Sequence, residues 1–156
     1  MHVLEKTKSP LSSLAETVID QHAANFWLQK FNPLWSFNQA LGKIVQKENS
    51  AQNMVSLTIQ FNRHFEVGQA GQHHPIFVEV DGIRHERSYS LTQLDSQHVL
   101  LTVKKVDQGK VSSWLVEQSK VGDILEFGQP YGDMLLPEQA QAMLLLAAGS
   151  GITPML

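Results

Sequence analysis

The sequence of 156 residues contains no cysteine. This absence excludes disulfide bonds, cysteine-ligated zinc or iron–sulfur centres and a thiol nucleophile within these residues. It is also typical of proteins that work in a reducing compartment, so we expect a cytoplasmic location.

Long apolar runs and an excess of positive charge are missing as well. The longest apolar run, Ala142 to Ala148, is far shorter than the ~20 residues of a membrane-spanning helix, and residues 1–6 lack the apolar core of a secretory signal. We therefore expect no membrane span. With 12 basic and 15 acidic residues the formal charge is −3, which gives no electrostatic reason to expect a nucleic-acid partner.

Residues 1–38 are predicted to form an N-terminal helical extension. Apolar side chains recur there mostly at three- and four-residue steps, at Leu14, Val18, Ala24, Leu28 and Phe31. Ser12 or Ser13 could cap this helix, and Pro33 would end it. The region is rich in aromatic residues, namely Phe26, Trp27, Phe31, Trp35 and Phe37. We expect them to pack on the rest of the protein rather than on a membrane or an electron-transfer partner, because Lys30 is the only cation beside them.

Residues 39–138 are predicted to form a mainly β domain. Six short β-rich runs are separated by turn residues: 43–46, 55–61, 76–80, 87–91, 99–106 and 124–127. One stretch with helical spacing, from about Val111 to Ser119, interrupts them. This pattern predicts a six-stranded antiparallel barrel that carries one helix.

Residues 139–156 have a different pattern. Residues 142–147 are uniformly apolar, as in a strand covered on both faces, and a glycine-rich turn follows at Gly149, Ser150 and Gly151. A buried strand that runs into a glycine turn is how a parallel α/β domain begins. We expect this segment to be the start of an incomplete nucleotide-binding domain, and the chain to be the front part of a longer protein.

Three motifs contain residue types that suit a phosphorylated, aromatic ligand. In the first, Arg87 and Tyr89 alternate on one face of a predicted strand, with Ser88 and Ser90 on the other. Arginine can hold phosphate through paired hydrogen bonds, and tyrosine offers a ring and a hydroxyl. The alternative is an ordinary barrel strand with an exposed arginine.

The second motif is a glycine turn that enters the predicted helix, with Gly109, Lys110, Val111 and Ser112. Free amides at a helix start can bind phosphate, although a plain helix cap would look the same. The stretch from Arg84 to Lys120 has six basic and four acidic residues, so it is positive within an acidic chain. The third motif is the glycine turn at Gly149–Gly151, whose amides could approach a pyrophosphate. Many strand-to-helix turns are glycine-rich.

In their order and spacing these motifs, together with residues 128–132 (GQPYG), resemble the ferredoxin-NADP reductase superfamily. The resemblance covers roughly Leu41 to Leu156. It implies a Greek-key FAD-binding barrel followed by the first strand of an NAD(P)-binding α/β domain.

The resemblance also implies roles for individual residues. Arg87 would hold the flavin phosphate and Tyr89 would pack against the isoalloxazine ring, with Ser90 near its reactive nitrogen and Thr92 beside it. The diphosphate would lie at the turn of Gly109, Lys110, Val111 and Ser112, and the nicotinamide nucleotide at Gly149, Gly151 and Thr153. Ser90 and Thr153 are the catalytic candidates. Strand alternation places Ser90 on the wrong face, so either its backbone acts or the strand bends there.

No metal site is expected from the residues. His73 and His74 are adjacent and would point to opposite faces of a strand, so they cannot join one ligand set with His85 without a bulge.

By resemblance, the intact protein passes electrons from NAD(P)H through FAD to a one-electron acceptor such as a ferredoxin or another iron–sulfur centre. The acceptor would serve an oxygenase or a fatty-acid desaturase, and a [2Fe–2S] cluster could belong to a further C-terminal domain. The N-terminal aromatic helix resembles extensions of reductases that feed lipid desaturases. Two alternatives are a non-catalytic flavin-binding module and a barrel that has kept the fold but binds another ligand or none.

Overall fold

The computed structural model describes residues 21–137, 142–148 and 152. Helix α1 (Gln21–Phe31) precedes a sheet whose strands are β1 (Ala40–Ala51), β2 (Met54–Phe61), β3 (His74–Val80), β4 (Ile83–Tyr89), β5 (Thr92–Gln93), β6 (His98–Lys104) and β7 (Ile124–Phe127). Between β6 and β7 lie a short helix α2 (Lys110–Ser113) and one turn of π-helix (Trp114–Gln118). The helix predicted over 111–119 is therefore present, one residue earlier.

All strand pairs are antiparallel, in the order β4-β3-β7-β1-β2-β6-β5. The two edge strands, β4 and β5, are consecutive in the chain and are separated only by Ser90 and Leu91. The sheet must therefore curl until its edges meet at these two residues. This confirms the predicted antiparallel barrel, with seven strands instead of six because the strand predicted over 87–91 breaks.

The core fills the inside of the curled sheet. Every second residue along the neighbouring strands β2 and β6 belongs to this core. The buried residues include Val55, Leu57 and Ile59 of β2, and Val99, Leu101 and Val103 of β6. The two strands pair in register, with Leu57 opposite Leu101. Because side chains alternate along a strand, this register places both apolar sets on the same face.

Helix α1 contacts the barrel through a polar residue. Asn25 is buried; its amide nitrogen donates to Asn38 and Gln39 side chains, and its oxygen accepts from Ser36 and from the Phe37 amide. The helix ends at Phe31, just before Pro33, as predicted from the position of this proline. The positions of Ser12, Ser13, Leu14 and Val18 lie outside the described residues.

The prediction that the aromatic residues pack on the barrel is wrong. Phe26, Trp27, Phe31, Trp35 and Phe37 are each more than half exposed. For the residues of α1, the physical reason is that Asn25 and its hydrogen bonds occupy the side of the helix that meets residues 36–39, so Phe26, Trp27 and Phe31 stay exposed.

The prediction of a doubly covered strand at 142–147 is not met in the described residues. No strand is assigned there, and Leu144 and Leu146 are about four-fifths exposed, at 83% and 79%. A parallel strand forms only beside a neighbour that takes its hydrogen bonds, and the described residues offer none here. Across the described residues, no helix has both the length and the apolar character needed to cross a membrane.

Candidate nucleotide-binding site

Two cavities meet where β4 breaks. The first has a volume of about 350 Å³ and is lined by the end of β4 and by the turn that follows β6. It brings together Arg87, Tyr89, Gly109, Val111 and Ser112, which lie on two separate motifs of the sequence. We call it the turn cavity.

Arg87 and Tyr89 lie on one side of β4, two residues apart. Arg87 is exposed, and its guanidinium donates to the Glu86 carbonyl at 2.6 Å, which leaves other N–H groups for a ligand. Tyr89 is half-buried against the core. Burial raises the pKa of Tyr89 to about 12, although the Arg87 charge acts to lower it. Tyr89 therefore presents a neutral hydroxyl.

The turn after β6 is tight because of one glycine. A Cβ on Gly109 would lie 2.5 Å from Ser112 Oγ and 3.0 Å from the Val106 carbonyl, so a side chain does not fit there. Ser112 is buried, and its Oγ accepts from the Val106 amide at 3.1 Å and donates to the Gly109 carbonyl at 3.4 Å. The Ser112 hydroxyl thus holds the turn together.

The turn leaves backbone donors free. The first bond of the helix runs from the Ser113 amide to the Gly109 carbonyl at 3.0 Å, so the amides of residues 110–112 precede the hydrogen-bonded helix. Lys110 is exposed, and its side chain is not among those that line the turn cavity.

Two charged residues of the turn cavity were not singled out from the sequence. Lys104, the last residue of β6, and Asp107 both line it. The only indication in the sequence that Lys104 belongs to this site is that it lies in the positive stretch from Arg84 to Lys120. Asp107 places a negative charge beside the cationic groups.

The second cavity, of about 230 Å³, lies on the other side of the strand break and is called the break cavity. Ser90, Leu91, Thr92 and Gln93 line it, together with His74 and the loop 65–72. Because neither Ser90 nor Leu91 is in a strand, the alternation that placed Ser90 opposite Tyr89 does not hold there. The structure therefore places Ser90 and Thr92 in a different cavity from Arg87, and the strand is interrupted at Ser90 and Leu91.

His74 forms a wall of the break cavity and was not predicted as a site residue. It is 3% exposed; its Nε2 donates to the Glu66 carbonyl at 3.0 Å, and its ring stacks on Phe65 at 5.0 Å. Its Nδ1 is buried without a hydrogen-bond partner in the described chain. Burial lowers the pKa of His74, the Glu66 hydrogen bond raises it, and nearby His73 lowers it.

On the outer side of β4, Ser88 fixes the segment 128–132. The Ser88 and Tyr131 hydroxyls lie 2.5 Å apart, and the backbones of His73 and Tyr131 exchange two hydrogen bonds of 3.0 Å. The side chains of the three histidines considered as metal ligands therefore lie in different places. The His73 ring faces Tyr131, the His74 ring is buried in the barrel, and His85 pairs with Val78 further along the sheet. In the part of the chain that the structure describes, no three or more His, Asp or Glu residues form a group that could hold a metal ion.

The nicotinamide-side candidates Gly149, Gly151 and Thr153 lie outside the described residues. The structure therefore describes the predicted site only up to the segment 128–132.

Comparisons with known proteins agree on one family. The family model described as oxidoreductase FAD-binding domain matches residues 42–135. The sequence is 36% identical over 137 residues to an NADPH oxidoreductase of Mycobacterium tuberculosis (strain ATCC 25618 / H37Rv), which covers 83% of this chain and 36% of that protein.

Two solved structures are similar to the fold. One is the FAD/NAD-binding domain of nitric oxide dioxygenase from Vibrio cholerae O1 biovar El Tor, with a TM-score of 0.66 and 26% identity over 76% of this chain and 54% of that one. The other is phthalate dioxygenase reductase, described as a modular structure for electron transfer from pyridine nucleotides to [2Fe–2S], with a TM-score of 0.61 and 28% identity over 74% of this chain and 36% of that one. The chain spans little more than a third of the length of the curated relative.

Proposed function

The chain belongs to the oxidoreductase FAD-binding domain family, of the ferredoxin-NADP reductase type, and on that premise we propose that it is the flavin-binding part of an NAD(P)H-dependent oxidoreductase. The observation that carries the proposal is the turn cavity. It joins a guanidinium, a half-buried tyrosine and a row of free amides, which the sequence places in two motifs about 20 residues apart.

The described residues fit a flavin dinucleotide. The amides of residues 110–112 and the guanidinium of Arg87 supply donors for phosphate oxygens, while Gly109 keeps the turn tight because a Cβ there would lie against Ser112 Oγ and the Val106 carbonyl. Ser112 contributes by closing the turn, through its bonds to Val106 and Gly109. Lys104 adds a second cation to the same cavity.

The ring half of the flavin is assigned to the end of β4 and the break cavity. The half-buried Tyr89 offers its ring and a neutral hydroxyl, and Ser90 and Thr92 offer hydroxyl groups at the break. These residues bind and orient the flavin ring. The buried wall made by Phe65 and His74 excludes water from the side of the ring that faces the break cavity. No side chain here is assigned a proton transfer.

FAD, when bound, supplies the chemistry of accepting a hydride from a nicotinamide nucleotide and releasing electrons one at a time. The name of the Mycobacterium tuberculosis relative supports NADPH as donor, and that of phthalate dioxygenase reductase supports an iron–sulfur acceptor. We therefore propose as acceptor a ferredoxin or a [2Fe–2S] domain that serves an oxygenase or desaturase. Gly149, Gly151 and Thr153 remain the proposed nicotinamide-side residues, in a domain that begins near residue 139. The cytoplasmic location and the division into 1–38, 39–138 and 139–156 also remain predictions.

The test is a titration of the 156-residue chain with FAD, followed by the change in flavin absorbance and fluorescence. Arg87→Ala should weaken FAD binding by about tenfold or more, since a hydrogen bond to a charged group contributes about 1.5–3 kcal/mol. Arg84→Ala is the matched control, because Arg84 lies on the same strand with its side chain on the opposite face, where it pairs with Glu126 at 3.0 Å.

Equal FAD affinity in Arg87→Ala and the unaltered chain would contradict the proposed phosphate site. These 156 residues match little more than a third of the Mycobacterium tuberculosis NADPH oxidoreductase, so the reductase half of the proposal is tested on the intact protein. With FAD bound, NADPH should abolish the oxidised-flavin absorbance of the intact protein. FAD retained without such bleaching in the intact protein would favour the alternative of a non-catalytic flavin-binding module.

A further inference from the structure

A third cavity lies far from the flavin residues, between the end of α1 and the start of β1. It has a volume of about 460 Å³ and shares no lining residue with the turn cavity or the break cavity. Its apolar lining comes from Leu28, Leu34, Trp35 and Phe37, and Arg63 and His64 complete it from the segment after β2. We call it the aromatic cleft.

Most of the uncharged polar groups that line the aromatic cleft form hydrogen bonds within the protein. The Asn62 amide nitrogen donates to the carbonyls of Leu34 at 3.1 Å and Gln39 at 2.9 Å, and its oxygen accepts from two amides. A ring nitrogen of His64 donates to the Ser36 carbonyl at 2.9 Å, and the Ser36 hydroxyl donates to Asn25. With these groups satisfied internally, the surface left for a ligand is mainly apolar.

Arg63 differs from the other polar residues of the cleft. It is exposed, its Nε lies 3.2 Å from the His64 ring, and among the described residues no carboxylate forms an ion pair with it. The sequence has no acidic residue between Asp20 and Glu48, whereas Lys30 lies 5.0 Å from the Phe26 ring on the same helix. The charge around the cleft therefore complements an anion.

From this combination we propose that the aromatic cleft binds a small amphiphile with an apolar body and a single carboxylate. The apolar body contacts Leu28, Leu34, Trp35 and Phe37, and the carboxylate pairs with the Arg63 guanidinium, whose planar fork matches it. The volume falls in the usual range for small-ligand sites, about 300–1,000 Å³. The exposed Arg63 guanidinium, which has no carboxylate paired to it among the described residues, disfavours a cationic ligand.

The test compares octanoate, octan-1-ol and octylammonium, which share one apolar chain and differ in head-group charge. Binding to the 156-residue chain is followed by calorimetry and by tryptophan fluorescence. Octanoate should bind saturably and octylammonium should bind more weakly. Arg63→Gln should weaken the binding of octanoate about threefold or more, which is the effect of losing one exposed charge pair. It should leave the binding of octan-1-ol unchanged.

Two further variants separate the cleft from general effects. Trp35→Ala should weaken the binding of both octanoate and octan-1-ol, because it removes apolar contact area from the cleft. Lys120→Gln removes the same unit of charge outside the cleft and should change neither affinity. Circular dichroism establishes that each variant keeps the sheet, and the exposed Arg63→Gln carries the test if Trp35→Ala does not fold.

Three results would overturn the proposal. One is octanoate affinity that is the same in Arg63→Gln as in the unaltered chain. Another is octylammonium that binds as tightly as octanoate, which would remove the role of charge. The third is capture of the chain by vesicles of anionic phospholipid without competition from octanoate, which would assign the exposed aromatic residues to a membrane surface instead.

Discussion

Among single residues, His74 links the break cavity to pH. Its ring is buried and stacks on Phe65, and only one of its two nitrogens has a hydrogen-bond partner in the described chain. A proton on Nδ1 would place a charge and an unsatisfied donor in the core. Burial therefore favours the neutral form of His74 in the folded chain.

The pKa of His74 gives a prediction about stability. Burial holds it below its usual 6.5 in the folded chain, so as pH falls through 6.5 the unfolded chain takes up a proton that the folded chain resists. This residue then lowers the free energy of unfolding by up to about 1.4 kcal/mol per pH unit, until the folded-state pKa is reached. In His74→Phe the loss of stability between about pH 8 and pH 5 should be smaller, as measured by urea unfolding.

His85→Phe provides the control for this prediction. His85 lies on the outer strand β4 opposite Val78 and has no assigned role in the break cavity. If His74→Phe lost stability with falling pH as steeply as the unaltered chain does, the buried imidazole would not be the source of the pH dependence.

At the scale of elements, the turn of π-helix is held to the barrel by one lysine of β1. The Lys47 ammonium donates to the carbonyls of Leu115, Val116 and Ser119 at 3.2, 2.9 and 2.7 Å. These carbonyls lie at the end of a helical segment, where no further helix turn supplies amide donors. Burial lowers the pKa of Lys47 and the Asp123 carboxylate raises it.

Replacing Lys47 should therefore loosen this helical segment. Lys47→Met keeps the length of the side chain and removes its donors, so we expect a loss of about 1–3 kcal/mol in the free energy of unfolding. Because the same segment begins with the turn at Gly109, FAD affinity should fall as well. The measurements are urea unfolding and FAD titration.

Lys43→Met is the matched control for the helical segment. Lys43 is on the same strand, and its ammonium makes no hydrogen bond with the described residues. Equal destabilisation by Lys43→Met and Lys47→Met would show that the hydrogen bonds of Lys47 do not hold the segment.

For the whole molecule, the joint between α1 and the barrel depends mainly on the hydrogen bonds of one side chain, Asn25. Asn25 is 6% exposed and contacts Ser36, Phe37, Asn38 and Gln39, which lead into β1. The barrel core includes no residue of α1. The helix and the barrel are therefore two parts with separate stabilities.

Asn25→Leu should release α1 and leave the barrel folded. The substitution leaves the hydrogen-bond partners of Asn25 unsatisfied, so the peptide bonds of residues 21–39 should become more accessible to limited proteolysis. The thermal midpoint of the barrel should stay within a few degrees of that of the unaltered chain. Gln29→Leu is the milder control, since Gln29 makes one bond of 3.4 Å to Gln39. Loss of the barrel transition itself in Asn25→Leu would show that the two parts fold as one.

Local patterns in the sequence predict most of the strands. The runs 55–61 and 99–106 are predicted as strands and form β2 and β6, because strand propensity and the turn residues beside it act locally. Pro33 likewise predicts the end of α1, since its effect on the backbone is local.

The places where distant parts of the chain meet depend on the closed sheet. Closure of the sheet breaks the strand at Ser90, which places Ser90 and Thr92 in a different cavity from Arg87. Contacts across the chain bring Lys47 to the π-helix and Arg63 to Trp35 and Phe37. The outward aromatic face of α1 follows from the polar contacts of Asn25. None of these is encoded in local periodicity, because each depends on the shape of a surface that forms only when the barrel closes.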